Sequence, residues 1–436
     1  MNNAMSLTRN TFDRVWRSKF ARSVAVVASG TAGAQAITIA FSPLITRIYG
    51  PEAFGLLGTF NAIVSAAIPV AALAYPIAIV LPRSDDEALS LAQLSGLLAV
   101  GISFLTAIGL WFAGDELVGI LGVEAIADYL LLIPLAMLFA ATMQIARQWL
   151  IRKKEFGVVA RAALGHSLIL NSAKTGFGLL HPVGIVLITL ATLGHVLHAA
   201  LMFIGAWKRH EPSQDALLQN APKSIKELAH QHRDFPFYRA PQNFINAASQ
   251  SLPILMLAAF FGSAAAGFYT LAKMVMALPT TVIGNAVKDV FYPRITKASH
   301  KGENLTLYII QATGGMFAIG LLPFGVVMLF GPWLFGIVFG DEWVTAGEYA
   351  RWLSFWLLTS FSNRPSVATI PVLGIQKGFL AYEIASVIAR VSAIIMGVLM
   401  FNSDLVAIIL FATVGAGLNI FLIGWVLKTA HRRETG

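Results

Sequence analysis

Cysteine is absent from this 436-residue chain, and only 12% of the residues are charged, against about 25% in an average soluble protein. Without thiols there is no disulfide framework, no thiolate metal site and no thiol nucleophile. With so few charges and 57% hydrophobic residues, the apolar surface exceeds what a soluble domain can bury. The same apolar content excludes disorder. Carboxylates are scarcer than cations, 22 against 31, which leaves a net charge of +9. Composition therefore points to an all-α polytopic membrane protein, with a mean hydropathy of +0.71. In that class a surplus of Lys and Arg marks cytoplasmic loops, not a nucleic-acid partner. No G-x-x-x-x-G-K-[ST] loop occurs, so no ATPase of that type is expected.

A helix needs about 20 apolar residues to cross the hydrocarbon. Twelve such stretches are read, over 22–47, 54–81, 87–113, 127–151, 157–180, 183–207, 239–261, 265–291, 304–330, 346–372, 378–401 and 404–427. The first is too long for a signal peptide and closes on no small-residue cleavage site. The cations cluster at the termini and after even-numbered stretches, as in Arg152-Lys153-Lys154, whereas the connections 114–126, 262–264, 331–345 and 402–403 hold none. The positive-inside rule then predicts cytoplasmic N- and C-termini. Trp16, Trp149, Trp207 and Trp425 fall at predicted inner ends, and Trp111, Trp333, Trp343 and Trp352 at outer ends, where interfacial anchoring is the expected role. The connections 114–126 and 331–345 read as short amphipathic segments at the interface. They are too small to hold a catalytic apparatus, so no enzyme is expected.

The chain also resembles itself at an offset of about 210–220 residues. Pro43 matches Pro253, Gly50 and Gly55 match Gly262 and Gly267, Pro69 matches Pro279, and Pro82-Arg83 matches Pro293-Arg294. Farther on, 117–120 matches 334–337 and Tyr129 matches Tyr349. The predicted organisation is a basic tail (1–21), a six-helix bundle (22–207), a polar linker (208–238), a second six-helix bundle (239–427) and a C-terminal tail (428–436). Six is even, so both halves enter the membrane in the same sense, and their pseudo-twofold axis runs along the membrane normal.

Lys174, Lys273, Arg364 and Arg390 sit deep in predicted spans, while Glu383 is the one comparably deep carboxylate. Arg147 and Arg161 lie nearer span ends, where they can snorkel. A charge at the bilayer centre costs about 3 kcal/mol or more, so the deep cations are expected to face a polar cavity or a partner. Their surplus predicts a cationic cavity for an anionic ligand. Glu383 and Arg390, seven residues apart, share a helix face and fit one structural network equally well. Arg364 precedes Pro365, which is expected to break the tenth span. Gln35, Thr38, Ser42 and Thr46 form a polar face on the first span, and Asn243, Asn246, Ser249 and Gln250 one on the seventh. Gln35, Asn243, Asn246 and Gln250 suit sugar hydroxyls, but such faces serve interhelical hydrogen bonding equally well. His195 and His198 are spaced as H-x-x-H without a third ligand nearby, so no metal is expected and a polar contact or proton site fits better.

The run LITRIYGPEAFGLLGTF followed by AYPIAIVLPR resembles the start of polysaccharide biosynthesis flippases, the Wzx-type exporters of O-antigen and exopolysaccharide repeat units. The segment from FPFYRAPQNF to VKDVFYPR resembles the same family, which belongs to the multidrug/oligosaccharidyl-lipid/polysaccharide exporter superfamily. The resemblance implies a MATE-like pair of six-helix bundles in the bacterial inner membrane. It also implies an undecaprenyl-diphosphate-linked oligosaccharide as substrate, turned from the inner to the outer leaflet without a cofactor. Membrane lipids, and the polymerase and chain-length proteins of such a pathway, are the partners it suggests. On this reading Lys273, Arg364, Arg390 and Lys174 bind the diphosphate, and Glu383 is the candidate for ion coupling. A cation-coupled multidrug exporter and a membrane polymerase or transferase of lipid-linked sugars are the alternatives.

Overall fold

The computed structural model describes residues 19–82, 84–207 and 224–435. The basic tail before Lys19, most of the predicted linker and the Trp16 anchor lie outside them. All regular structure among the described residues is helical. In order these are α1 (Lys19–Ala71), a 3₁₀ segment (Tyr75–Val80), α2 (Asp85–Leu121), a 3₁₀ segment (Glu124–Tyr129), α3 (Leu132–Arg152), α4 (Phe156–Leu180) and α5 (Gly184–Trp207). There follow α6 (Ile225–Gln231), a π turn (Phe235–Arg239), α7 (Ala240–His300), α8 (Leu305–Phe339), a 3₁₀ turn (Asp341–Trp343), α9 (Val344–Ser362), α10 (Arg364–Leu373), α11 (Gln376–Phe401) and α12 (Asp404–Thr435). Seven helical stretches among the described residues are long and apolar enough to cross a membrane. α1 and α7 each run through two of the predicted apolar stretches.

Both long helices bend at a glycine with extended, positive-φ backbone: Gly50 (φ 68°, ψ 174°) in α1 and Gly262 (φ 83°, ψ 179°) in α7. Glycine alone reaches that region cheaply, and these are the two positions that the internal repeat aligns. The next repeat pair, Gly55 and Gly267, lets backbones touch. A Cβ on Gly55 would lie 1.6 Å from the Ser263 carbonyl oxygen, and one on Gly267 would lie 2.0 Å from that of Pro51. The two contacts are one contact seen twice.

The chain divides into two compact units. The first comprises Met1–Phe41, Phe60–Ile120 and Glu124–Ser251, and the second Ser42–Thr59, Leu121–Val123 and Leu252–Gly436. The middle of α1 thus belongs to the second unit. There the Trp343 indole N–H donates to the Thr46 carbonyl at 3.2 Å and Arg47 donates to the Ile337 carbonyl at 2.8 Å.

Three sequence expectations are corrected here. The predicted helix 54–81 stops at Ala71, because Leu73 and Ala74 turn to positive φ ahead of Pro76. Proline disfavours the helical region for the residue before it and donates no N–H. The predicted span 346–372 does break beside Pro365, as expected: it parts at Asn363, between α9 and α10. The connections 114–126 and 331–345 are not separate interfacial segments, since α2 continues to Leu121 and α8 to Phe339. Pro332 does not end α8; there Gly331 and Gly347 bring α8 and α9 to backbone contact. Trp343 is no interfacial anchor: it is 1% exposed and packs edge-on against Phe54 and Phe268.

At the head of α2, Asp85 accepts from Arg152 Nε at 2.9 Å and pairs with Lys153. Arg152 also caps the preceding segment through the carbonyls of Ile79 and Pro82. Burial raises the Asp85 carboxyl, but the two cations outweigh it and hold it below its ordinary value. A carboxylate lowered in this way stabilises the fold fully above the unfolded value of about 4, and the contribution fades as pH falls through the folded one. Asp85→Asn should therefore cost about 1 kcal/mol at pH 7 and much less at pH 3. Thermal unfolding in detergent checks this; equal losses at both pH values would contradict the assignment.

Candidate functional site

The break after Ala71 shapes the candidate site of the first unit. Ala72, Ala74, Pro76 and Ile77 form one wall of a cavity of about 250 Å³, together with Pro69 and Ile68 from α1. Irregular backbone at membrane depth is tolerated where it lines a cavity. The facing wall comes from α3 and α7: Gln144, Asn243, Asn246 and Gln250. The amide N–H of Gln250 donates to Asn246 Oδ1 at 2.7 Å, which fixes the two side chains relative to each other. Three of the four residues expected to meet sugar hydroxyls are thus brought together. Gln35 is not among the lining residues. Gln144 was missed; its signal was an amide in the middle of the apolar run Leu132–Arg152.

The polar face of the first span serves a different purpose. The Thr38 hydroxyl lies 2.9 Å from Ser167 Oγ and accepts from Asn171 at 3.2 Å, while Ser167 donates to the Ala34 carbonyl. These bonds tie α1 to α4, so at Thr38 the interhelical role holds.

The four deep cations are divided between the two units. Lys174 belongs to the first unit, and Lys273, Arg364 and Arg390 to the second. In the second unit Lys273 Nζ stands 6.0 Å from the ring of Tyr269, a residue 2% exposed that also senses the charge of Arg390. Arg390 donates from Nε to the Ser386 carbonyl at 3.1 Å, and its guanidinium lies 5.7 Å from the Trp356 ring and 6.0 Å from that of Phe411. Lys273 and Arg390 therefore each lie against aromatic rings. Glu383 feels the charge of Arg390, but no ion pair joins them among the described residues. Arg364 is exposed at the start of α10, with no polar partner among the described residues.

His198 makes a contact between helices. Among the described residues no group of three or more His, Asp or Glu could hold an ion. Its ring stacks instead on His166 of α4, a residue that spacing along one helix could not reveal.

A family model described as polysaccharide biosynthesis protein matches residues 44–348. The succinoglycan biosynthesis transport protein ExoT of Rhizobium meliloti (strain 1021) is 22% identical over 415 residues, spanning 92% of this chain and 78% of that protein. Among solved structures, a multidrug resistance MATE family transporter of the MOP superfamily aligns with a TM-score of 0.69 at 16% identity, over 94% of this chain and 98% of its own. A MOP superfamily transporter from Pyrococcus furiosus Vc1 (DSM3638), described as having a binding pocket of reverse polarity, aligns with a TM-score of 0.61 at 14% identity, over 97% of both chains. At these identities the structures establish a MATE-like, all-helical, multi-pass membrane fold.

Proposed function

Since the chain belongs to the polysaccharide biosynthesis protein family, we propose that it is a flippase for an undecaprenyl-diphosphate-linked oligosaccharide. It moves the repeat unit of an O-antigen, capsule or exopolysaccharide from the inner to the outer leaflet of the bacterial inner membrane. On this reading two bundles, 22–207 and 239–427, work by alternating access around a substrate path, with both termini cytoplasmic, and the protein catalyses no covalent step. The observation that carries the reading is the amide-lined cavity beside broken backbone. Carboxamides offer both donors and acceptors, which is what a sugar hydroxyl needs.

The physical problem is moving a diphosphate and several sugars through hydrocarbon, where an unpaired ion is very costly. Lys273 and Arg390 supply charge in place of water, with Lys174 and Arg364 as further cations along the path. Outward movement of about two negative charges is favoured by an inside-negative potential, by about 4.6 kcal/mol per 100 mV. A multidrug exporter of the same fold is the second reading. A cationic drug would call for carboxylates in the cavity, and none is among its lining residues.

The test is reconstitution with a labelled diphosphate-linked glycan and measurement of its outer-leaflet exposure. Asn246→Leu and Gln144→Leu should each slow flipping about tenfold, the equivalent of one lost hydrogen bond to substrate. Unchanged rates in both, with the fold intact, would remove the cavity from the substrate path.

A further inference from the structure

The seam between α4 and α5 in the first unit holds a pair of side chains that the substrate path does not use. The imidazoles of His166 and His198 lie face to face, with centroids 4.6 Å apart and planes 13° from parallel. Gly194 leaves room for the pair, since a Cβ there would come within 3.2 Å of His166 Nε2. Nε2 of His198 is buried with no hydrogen-bond partner among the described residues. The titratable and charged groups that face the pair are His195 on α5, Lys174 on α4 and Arg147 on α3. No carboxylate faces it among the described residues.

Packing alone does not account for this arrangement. Leucine or phenylalanine would fill the same seam without burying a polar nitrogen that lacks a partner. What imidazole adds is a proton. Two imidazolium rings stacked at this distance, with further cations around them, repel each other strongly. The second proton is thereby refused, and the rings titrate as a coupled pair.

We propose that the stacked His166–His198 pair is a proton-binding site of the first unit, holding at most one proton and exchanging it during the transport cycle. The exchange rests on the flippase reading; the site does not. A proton on the pair adds positive charge to a seam that already contains Lys174. An anionic substrate near Lys174 therefore favours the proton, and by reciprocity its departure expels it.

Two measurements test this on the full chain. The first is histidine-selective NMR titration in micelles, comparing wild type with His166→Phe and His198→Phe, which keep a stacked ring but cannot titrate. The midpoint of the remaining ring should move by about one pH unit in each variant, while His195→Gln leaves the His166 and His198 signals coupled. If neither midpoint moves, there is no shared site, and the flippase reading stands untouched. The reciprocal variant serves if one of them fails to fold.

The second measurement is glycan flipping in proteoliposomes with an imposed pH gradient. Wild type should respond to the gradient several-fold, and both phenylalanine variants should flip at a rate that ignores it. A coupled titration with an undiminished gradient response would overturn the coupling role. A coupled titration in a protein that flips no glycan would instead overturn the flippase reading and leave the site in place.

Discussion

Replacing Gly55 or Gly267 with alanine is expected to be among the most destabilising single changes in the chain, at about 3 kcal/mol each. A methyl group on either residue would overlap a backbone carbonyl, that of Ser263 or Pro51, at 1.6 and 2.0 Å respectively. Overpacked side chains can rotate away, but a carbonyl held in a helix cannot, so the two helices must part. Small residues drive such close helix contacts in membranes, where no hydrophobic force pulls helices together, and overpacking already costs about 1–3 kcal/mol where the neighbours can adjust. The two sites share one interface, so the double variant should lose less than the sum. Gly109→Ala is the control, with nothing within 4 Å of the new methyl, and should be neutral or slightly stabilising. Thermal unfolding in detergent reads all four proteins. If Gly55→Ala and Gly267→Ala unfold with the control, the contact is not as drawn.

Neutralising Lys273 and Arg390 together is expected to lower glycan flipping more than a hundredfold. Each hydrogen bond between a charged group and a diphosphate contributes about 1.5–3 kcal/mol, so two of them account for a loss of that size or larger. Folding should survive, because removing a cation from apolar surroundings removes its desolvation cost as well. Arg364→Gln alone should have a smaller effect, consistent with its exposed position at the head of α10. Arg390 also lies against Trp356 and Phe411, so it needs a separate comparison. Arg390→Lys keeps the charge and loses the planar stacking. If Arg390→Gln lowers stability while flipping persists in the double variant, Arg390 is a packing residue and the cationic account of the second unit fails.

Much of this was legible in the sequence, for reasons that differ by residue. Asn243, Asn246 and Gln250 recur at helical spacing on an apolar background, and the structure sets all three on one cavity wall. Gly50 and Gly262 stood out only through the repeat, and their shared backbone geometry bears that alignment out. The break after Ala71 was hidden because VAALAYP is apolar throughout, and hydrophobic periodicity cannot register a turn made of alanines. Pro76 carried the signal. His166 lies 32 residues from His198 in another helix, so no spacing rule could join them. Trp343 was misread because a tryptophan at a helix end is usually an anchor, and only tertiary packing shows that Phe54 and Phe268 enclose it.

The 3₁₀ segment that walls the amide cavity is held at both ends. The Tyr75 hydroxyl donates to the Ala229 carbonyl of α6 at 3.0 Å, and Arg152 grips the carbonyls of Ile79 and Pro82. α6 is a seven-residue helix closed by a capping box at Ser224 and Glu227, within the predicted linker. The segment therefore works as a tie rod, with one anchor on a membrane helix and the other on the strand of chain that joins the two halves of the sequence. Packing reinforces that anchor, since Leu228 of α6 shares a buried cluster with Tyr75, Ala78 and Ile79, so the cavity wall and α6 are built on one core.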